Sequence, residues 1–232
     1  MPDPLIAVVP DELAGGEHAI VVADTTGRIL WRGRIDLSGR PRLRLRLLGH
    51  GAPAAEFGGG AAFELSHRHA EILALLAMHR DGLTGEQLTL ELYGEEGNPI
   101  TTRAEVSRLR KLLPCVEARP YRLAAAVSAD FLDVEEQLAG GDLGAALATF
   151  AGPLLPLSEA PGIAQARDEL EGALQRAARA GTTEHLWTWL QTAPGREDPL
   201  AMAAFVRRIE PADPRRAIAA ARLRALRVRW SD

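Results

Sequence analysis

The sequence predicts an α+β fold in which short strands come first, three short helices and a hairpin follow, and the remainder is helical. Three observations carry this expectation. Up to about residue 66 apolar residues recur with the period of two that a half-buried strand requires, as in "RLRLRLLG" (42–49). After Ser66 the period lengthens to that of an amphipathic helix, as in "SHRHAEILALLAMHR". From residue 131 onward the helical pattern runs to the end without a strand-like segment.

The elements follow in order. "AIVVAD" and "RILWRGR" flank the Gly-containing turn "TTG", so residues 18–34 read as a hairpin. Residues 42–49 read as a strand with one buried face, and the loop "HGAPAAEFGGG" leads to a second short strand, "AAFELS" (61–66). Ser66 is the expected cap of a first helix whose apolar face holds Ile72, Leu73, Leu75, Leu76 and Met78. In "DGLTGEQLTLELYG", Thr84 with Gln87 three residues on has the spacing of a capping box, which starts a second helix. "EEGNP" breaks the chain, and a third helix is expected over 101–113, capped by Thr101 or Thr102. "LPCVEARPYRLAAAV" (113–127) reads as a tight two-stranded ribbon. Helices are expected in "FLDVEEQLAGGD", "LGAALATFAG", "APGIAQARDELEGALQRAARAG", "TTEHLWTWLQT", "DPLAMAAFVRRI" and "DPRRAIAAARLRALRVRW", the last opened by an Asp213 cap and an N1 proline. The intervening "PLLPLSEAPG" is expected to be ordered, since its leucines need burial.

The expected organisation is an N-terminal β segment (1–40), an α+β domain (41–127) and an all-α helical domain (128–232). Bulk composition narrows the class. With 47% hydrophobic and 25% charged residues, the 232-residue chain has the balance of a soluble globular protein. Cys115 stands alone, which excludes an internal disulfide and fits a reducing compartment. "MPDPLIAVVPDELAGGEH" lacks the basic start and apolar core of a signal peptide, and no apolar run approaches the length of a membrane span. A cytoplasmic protein without membrane contact is therefore expected. The net charge of −4 argues against non-specific coating of nucleic acid but leaves room for a local basic face.

That face lies in the third helix, "ITTRAEVSRLRKLL" (100–113). Thr102, Val106, Leu109 and Leu113 fall at i, i+4, i+7 and i+11, one stripe expected to pack inward. Arg103, Ser107, Arg108, Arg110 and Lys111 then lie outward. Between 101 and 122 six basic residues stand against two acidic ones, a local +4 that includes Arg119 and Arg122 of the ribbon. A basic exposed helix followed by a basic hairpin is a winged helix-turn-helix arrangement, in which the helix fits the major groove and the hairpin reaches the backbone or minor groove. The alternative from these residues alone is a solvated face of exposed ion pairs.

The run "LSHRHAEILALLAMHRDGLTGEQLTLELYG…TTRAEVSRLRKLL…RPYRL" resembles the OmpR-type winged-helix domain over about residues 42–125, with Pro120 where that pattern usually has glycine before Tyr121. "FLDVEEQLAGGDLGAALATFAGPLLPLSEAPGIAQARDELEGALQRAA" is similar to the bacterial transcriptional activator domain that follows the winged helix in antibiotic-pathway activators. The pair looks closest to actinobacterial regulators carrying a GAF sensor ahead of this module. By that comparison residues 1–40 are either the end of a shortened sensor or strands that complete the sheet before the winged helix. The resemblance implies a transcriptional regulator with DNA contacts at Thr101, Arg103, Ser107, Arg108, Arg110 and Lys111 of the recognition helix and at Arg119 and Arg122 of the wing. Arg108 and Arg110 suit guanine edges, because a planar guanidinium bonds bidentately to O6 and N7. Thr101, Ser107 and Lys111 suit phosphates, which position without reading sequence.

Two more charged segments bear on partners. Within 126–172 nine acidic residues stand against Arg167 alone, which either orients the protein on DNA and leaves a far side for protein partners or is an ordinary solvated face. The last helix carries Arg215, Arg216, Arg222, Arg224, Arg227 and Arg229, expected to pair with acidic helices or a partner more than with nucleic acid. The expected partners are double-stranded DNA and, through the helical domain, RNA polymerase or a second copy of the chain. The alternative function is a protein-interaction adaptor that keeps the fold without binding DNA.

No enzyme, cofactor or metal is expected. His67 and His69 sit two apart on a helix and point different ways, so they read as solvated or cap-region residues. Cys115 has no evident histidine partner, and "GGGAAF" lacks the Lys-Ser/Thr and helix of a phosphate loop. Trp187 and Trp189 read as core or interface.

Overall fold

The computed structural model describes residues 17–23, 29–36 and 41–229. Two strands, β1 (Glu17–Ala23) and β2 (Ile29–Asp36), pair antiparallel from Glu17↔Asp36 inward; the "TTG" turn between them lies outside the described residues. They form a two-stranded sheet of their own and do not extend the next one. The expectation that they complete the sheet before the winged helix is thus corrected: the next sheet, which contains the strand that follows them, includes neither.

That strand is β3 (Arg42–Arg46), flanked by antiparallel β4 (Ala54–Phe57) and by parallel β8 (Ala126–Ala129), with β5 (Phe63–Glu64) outside β4. Its alternation is the reason for its place: Leu43 and Leu45 are buried while Arg42, Arg44 and Arg46 face out. Two strands depart from the sequence reading. β4 lies in the stretch read as loop, where Ala54, Ala55 and Phe57 offered little apolar contrast, and β8 lies at the end of the stretch read as ribbon.

Three helices follow β5: α1 (His67–Met78), α2 (Gly85–Tyr93) and α3 (Pro99–Leu112). Ser66 caps α1, its side chain accepting from the His69 amide, and Ile72, Leu73, Leu75 and Leu76 are all buried. Thr84 and Gln87 form the expected capping box, each side chain accepting from the other's backbone amide at 3.1 and 2.9 Å. The α3 cap is corrected. It is Asn98, whose side chain accepts from the Ile100 amide at 2.9 Å, and Pro99 occupies the first turn. Thr102 is unavailable for capping because it is fully buried against α2. Strands β6 (Val116–Glu117) and β7 (Arg122–Leu123) then pair as the wing.

The described chain divides into two compact units, one running through Ala129 and the other made of Leu47–Gly51 and the residues from Asp130 on. The second unit is helical: α4 (Asp130–Ala139), α5 (Leu143–Thr149), α6 (Pro161–Ala180), α7 (Thr183–Trp189), a 3-10 turn at Pro194–Glu197, α8 (Pro199–Arg208) and α9 (Pro214–Arg229). Asp130 is less a surface acid than an anchor. Its carboxylate accepts from the amides of Leu47, Leu48 and Phe131, and burial pushes its pKa up while those amide bonds oppose the shift. Leu154 and Leu155 of the linker are buried as expected, whereas Leu157 is 74% exposed and departs from that expectation; Leu47 and Leu155 are joined through the backbone. The fold is therefore α+β, a winged helix-turn-helix preceded by strands and followed by an all-α unit.

The winged-helix core rests on α1 against the inward face of α3, where Val106, Leu109 and Leu113 are at most 1% exposed. Leu109→Ala should cost about 2–5 kcal/mol through lost transfer energy and the cavity left behind. Urea unfolding is the measurement, with a lower midpoint at unchanged slope expected; a loss below about 1 kcal/mol would mean that Leu109 is not part of this core.

Candidate nucleic-acid interface

The rotation of α3 about its own axis decides which side chains face out. A buried hydroxyl pair fixes it. Thr89 Oγ1 lies 2.6 Å from the Gly85 carbonyl, to which it donates, and 2.8 Å from Thr102 Oγ1. With its one proton committed to Gly85, Thr89 must accept from Thr102. Thr102, Val106 and Leu109 thus face inward as the spacing predicted, and Thr101, Arg103, Ser107, Arg108, Arg110 and Lys111 are exposed.

These residues do not have equal freedom. Arg103 and Lys111 make no hydrogen bond or ion pair among the described residues. Arg108, with a side chain 66% exposed, pairs with Glu105 one turn back on the same helix. Arg110 directs its Nε to the Val116 carbonyl at 3.0 Å, so it ties α3 to the wing with one edge and leaves its outer nitrogens. On the wing Arg122 pairs with Glu117, while Arg119 is exposed and has a φ of 74°, in the left-handed region.

The wing is held from two sides. Leu83 and Tyr121 exchange backbone hydrogen bonds at 2.9 and 2.8 Å, which joins the wing to the turn before α2. Gly82 in that turn has a φ of +91°, and a Cβ there would meet the Tyr121 carbonyl at 2.8 Å and Pro120 Cγ at 2.9 Å. Glycine is needed at 82 for both reasons. The result is a cleft of about 800 Å³ between the start of α2 and the wing, lined among others by Thr84, Gly85, Arg103, Arg119 and Tyr121. The spacing of the motif did not reveal this cleft, because it brings together residues from three separate elements. The Thr84–Gln87 capping box was its one legible sign.

His69 is corrected in part. It sits in the first turn of α1 as expected, but its ring is buried, because α3 covers it. Its Nε2 has no hydrogen-bond partner and lies 3.8 Å from a Glu105 oxygen. Desolvation lowers its pKa below the ordinary 6.5, Glu105 opposes that shift, and Arg108 adds to it. Cys115 is a buried packing residue whose thiol is pushed up to about 11 by burial, so it stays protonated near neutrality. The described residues contain no group of three or more His, Cys, Asp or Glu placed to hold a metal, and no helix among them is long and apolar enough to cross a membrane.

The terminal arginines settle mostly within their own unit. Arg215 bonds Asp213 and Glu184 and lies over the Trp187 ring, and Arg229 pairs with Glu197. Arg222 and Arg216 donate to the Leu190 and Val206 carbonyls. Trp189 is core, its Nε1 donating to Asp198 at 3.0 Å, and Trp187 stacks on Phe205.

Fold and surface together define a winged-helix protein with a basic outer helix and an appended helical unit. Residues 183–231 match the family model for the third C-terminal helical domain of YTH3-like proteins. Over 228 residues the chain is 34% identical to an uncharacterized 47.3 kDa protein encoded in the thcA 5′ region of Rhodococcus erythropolis, covering 82% of this chain and 52% of that protein. The chain thus spans about half the length of the curated relative it matches. Mycobacterium tuberculosis EmbR, solved in complex with a low-affinity phosphopeptide, aligns over 83% of this chain and 60% of its own, with 18% identity and a TM-score of 0.47.

The buried, neutral His69 makes stability depend on pH in one direction. Its folded pKa lies below 6.5, so the unfolded chain binds the proton first as pH falls. His69 therefore contributes no loss above its ordinary pKa, and a growing loss as pH drops below it towards the folded value. Across that window the urea midpoint of wild type should fall relative to that of His69→Gln as pH falls. Parallel curves would show that His69 does not titrate with unfolding.

Proposed function

We propose that the chain is a sequence-specific DNA-binding transcriptional regulator that places α3 in the major groove and the β6–β7 wing on the backbone or minor groove. One observation carries the reading. The outward face of α3 presents Arg103, Arg108, Arg110 and Lys111 opposite a fully buried stripe, and the wing adds Arg119 and Arg122. A helix of about 10–12 Å diameter with such a face fits a groove about 12 Å wide.

The roles divide by freedom and reach. Arg108, at the exposed centre of the helix, suits a guanine edge, for which it must exchange Glu105 for O6 and N7. Arg110 supports the same face with its outer nitrogens while it fixes the wing. Thr101, Ser107 and Lys111 suit phosphates. In the cleft beside the wing, Arg103 and Arg119 face the start of α2, whose dipole also favours an anion, so a backbone phosphate fits there. The adaptor alternative would draw support from arginines engaged by acidic helices. Within their own unit these side chains meet Glu105, Glu117 and the Val116 carbonyl.

Fragments selected from genomic DNA by the protein, followed by salt titration on the best one, test the proposal. Arg108→Ala should cost about 1–3 kcal/mol on that fragment and relax preference at particular base pairs. Lys111→Ala should weaken all sequences alike and reduce the salt slope by about one. Wild-type protein with no salt-dependent affinity above background would leave the adaptor reading in possession.

A further inference from the structure

The helical unit carries two surfaces that its own packing leaves incomplete. The first is a groove of about 810 Å³ between α6, the 3-10 turn and the start of α8. Its floor is apolar, with Trp189 and Pro199, and Leu200 beside them is 61% exposed. Its rim holds Asp168 and Glu171, three residues apart on α6 and therefore on one face. Neither carboxylate makes a hydrogen bond or ion pair among the described residues. Arg167 directs its donors to the Pro156 and Ser158 carbonyls, and Arg176, which folds over Gly172, pairs with neither acid. Burial and Asp168 push the Glu171 pKa up, and Arg167 opposes that shift. Two carboxylates without a direct ion pair beside exposed apolar surface favour a cationic, apolar occupant.

The second surface is the outer side of α9. This helix buries Ala219, Leu223 and Leu226, yet Ile218, Ala221, Ala225 and Val228 form another stripe at i, i+3, i+7 and i+10, all exposed. Ile218 is 46% and Val228 66% exposed. The stripe spans about 15 Å of helix. Beside it stands Arg224, exposed and without a hydrogen bond or ion pair among the described residues. An apolar ridge with a guanidinium at its edge is the chemical complement of an apolar groove with carboxylates at its edge. The two surfaces adjoin, since Arg229 of α9 pairs with Glu197 on the lip of the groove.

We propose that the groove is a self-association site that receives the outer stripe of α9 from a second copy of the chain, with Arg224 of one copy meeting Asp168 and Glu171 of the other. Because ridge and groove are neighbours, two copies related by a two-fold axis make the contact twice and close into a dimer. Leu200 supplies apolar burial, and the charges fix partner and register. The proposal does not depend on DNA binding.

Sedimentation velocity on the full chain, over a concentration series at low and high salt, is the test. Wild type should show a monomer–dimer equilibrium that shifts towards monomer as salt rises. Glu171→Arg and Arg224→Glu should each weaken dimerisation at least tenfold. Mixed in equal amounts, the two variants should recover association above either alone, which also shows that both are folded. Leu200→Glu should abolish the dimer at unchanged circular dichroism. Wild type monomeric at every concentration, or a dimer indifferent to all three substitutions, would overturn the proposal.

Discussion

The interface depends on a hydrogen bond that never touches it. The Thr102 hydroxyl, buried against Thr89, fixes the rotation of α3 about its axis. Successive residues on a helix are separated by about 100°, so a slip of one position would turn Arg103 and Arg110 inward and bring polar groups into a leucine core. Both hydroxyls are satisfied only in the observed register. Thr89 donates to Gly85 and accepts from Thr102, and losing either partner strands a buried polar atom at about 1–3 kcal/mol. The apolar stripe sets roughly which side is inward, and the hydroxyl pair sets it sharply.

From that register the rest of the basic surface follows. Arg110 reaches Val116, Val116 pairs with Leu123 across the wing, and Tyr121 joins the wing to Leu83 ahead of α2. Helix, wing and turn thus form a ring of short-range links, so a shift in one is transmitted to the others. Gly82 is where this ring admits no side chain. The ion pairs Glu105–Arg108 and Glu117–Arg122 have a different role. Both are exposed, so each contributes little stability, and each can be exchanged for a phosphate or base edge at small cost.

Much of this was legible in the sequence because it rests on local periodicity. The inward stripe of α3, the Leu-rich face of α1 and the Thr84–Gln87 box are set by spacing within one element. What escaped is non-local. β4 carries alanines too small to give a clear alternation, and β8 becomes a strand only because β3 lies beside it in parallel. The cap of α3 was placed three or four residues late, since Thr101 and Thr102 are good caps by type, whereas the helix already starts at Pro99 behind Asn98. His69 could not be told from a solvated histidine without knowing that α3 lies over it. The residues ascribed to DNA contact are all on the outward face, but their differing freedom, from unpaired Arg103 to tethered Arg110, appears only in three dimensions.

The two units treat charge in opposite ways, and this bears on how each would meet a partner. In the winged helix Arg108 and Arg122 are each met by one acid and Arg110 by a carbonyl. Arg103 has no partner among the described residues, so the surface keeps an excess of positive charge. In the helical unit Arg215 and Arg229 of α9 are met by Asp213, Glu184 and Glu197, and Arg216 and Arg222 by carbonyls, while Asp168 and Glu171 make no direct ion pair among the described residues. A chain of net −4 can therefore present cationic surface at α3 and anionic surface at α6. The first attracts a polyanion over a distance set by salt, and the second repels it. That division of charge is what the proposed DNA contact at α3 and the proposed self-association at the α6 groove each draw on.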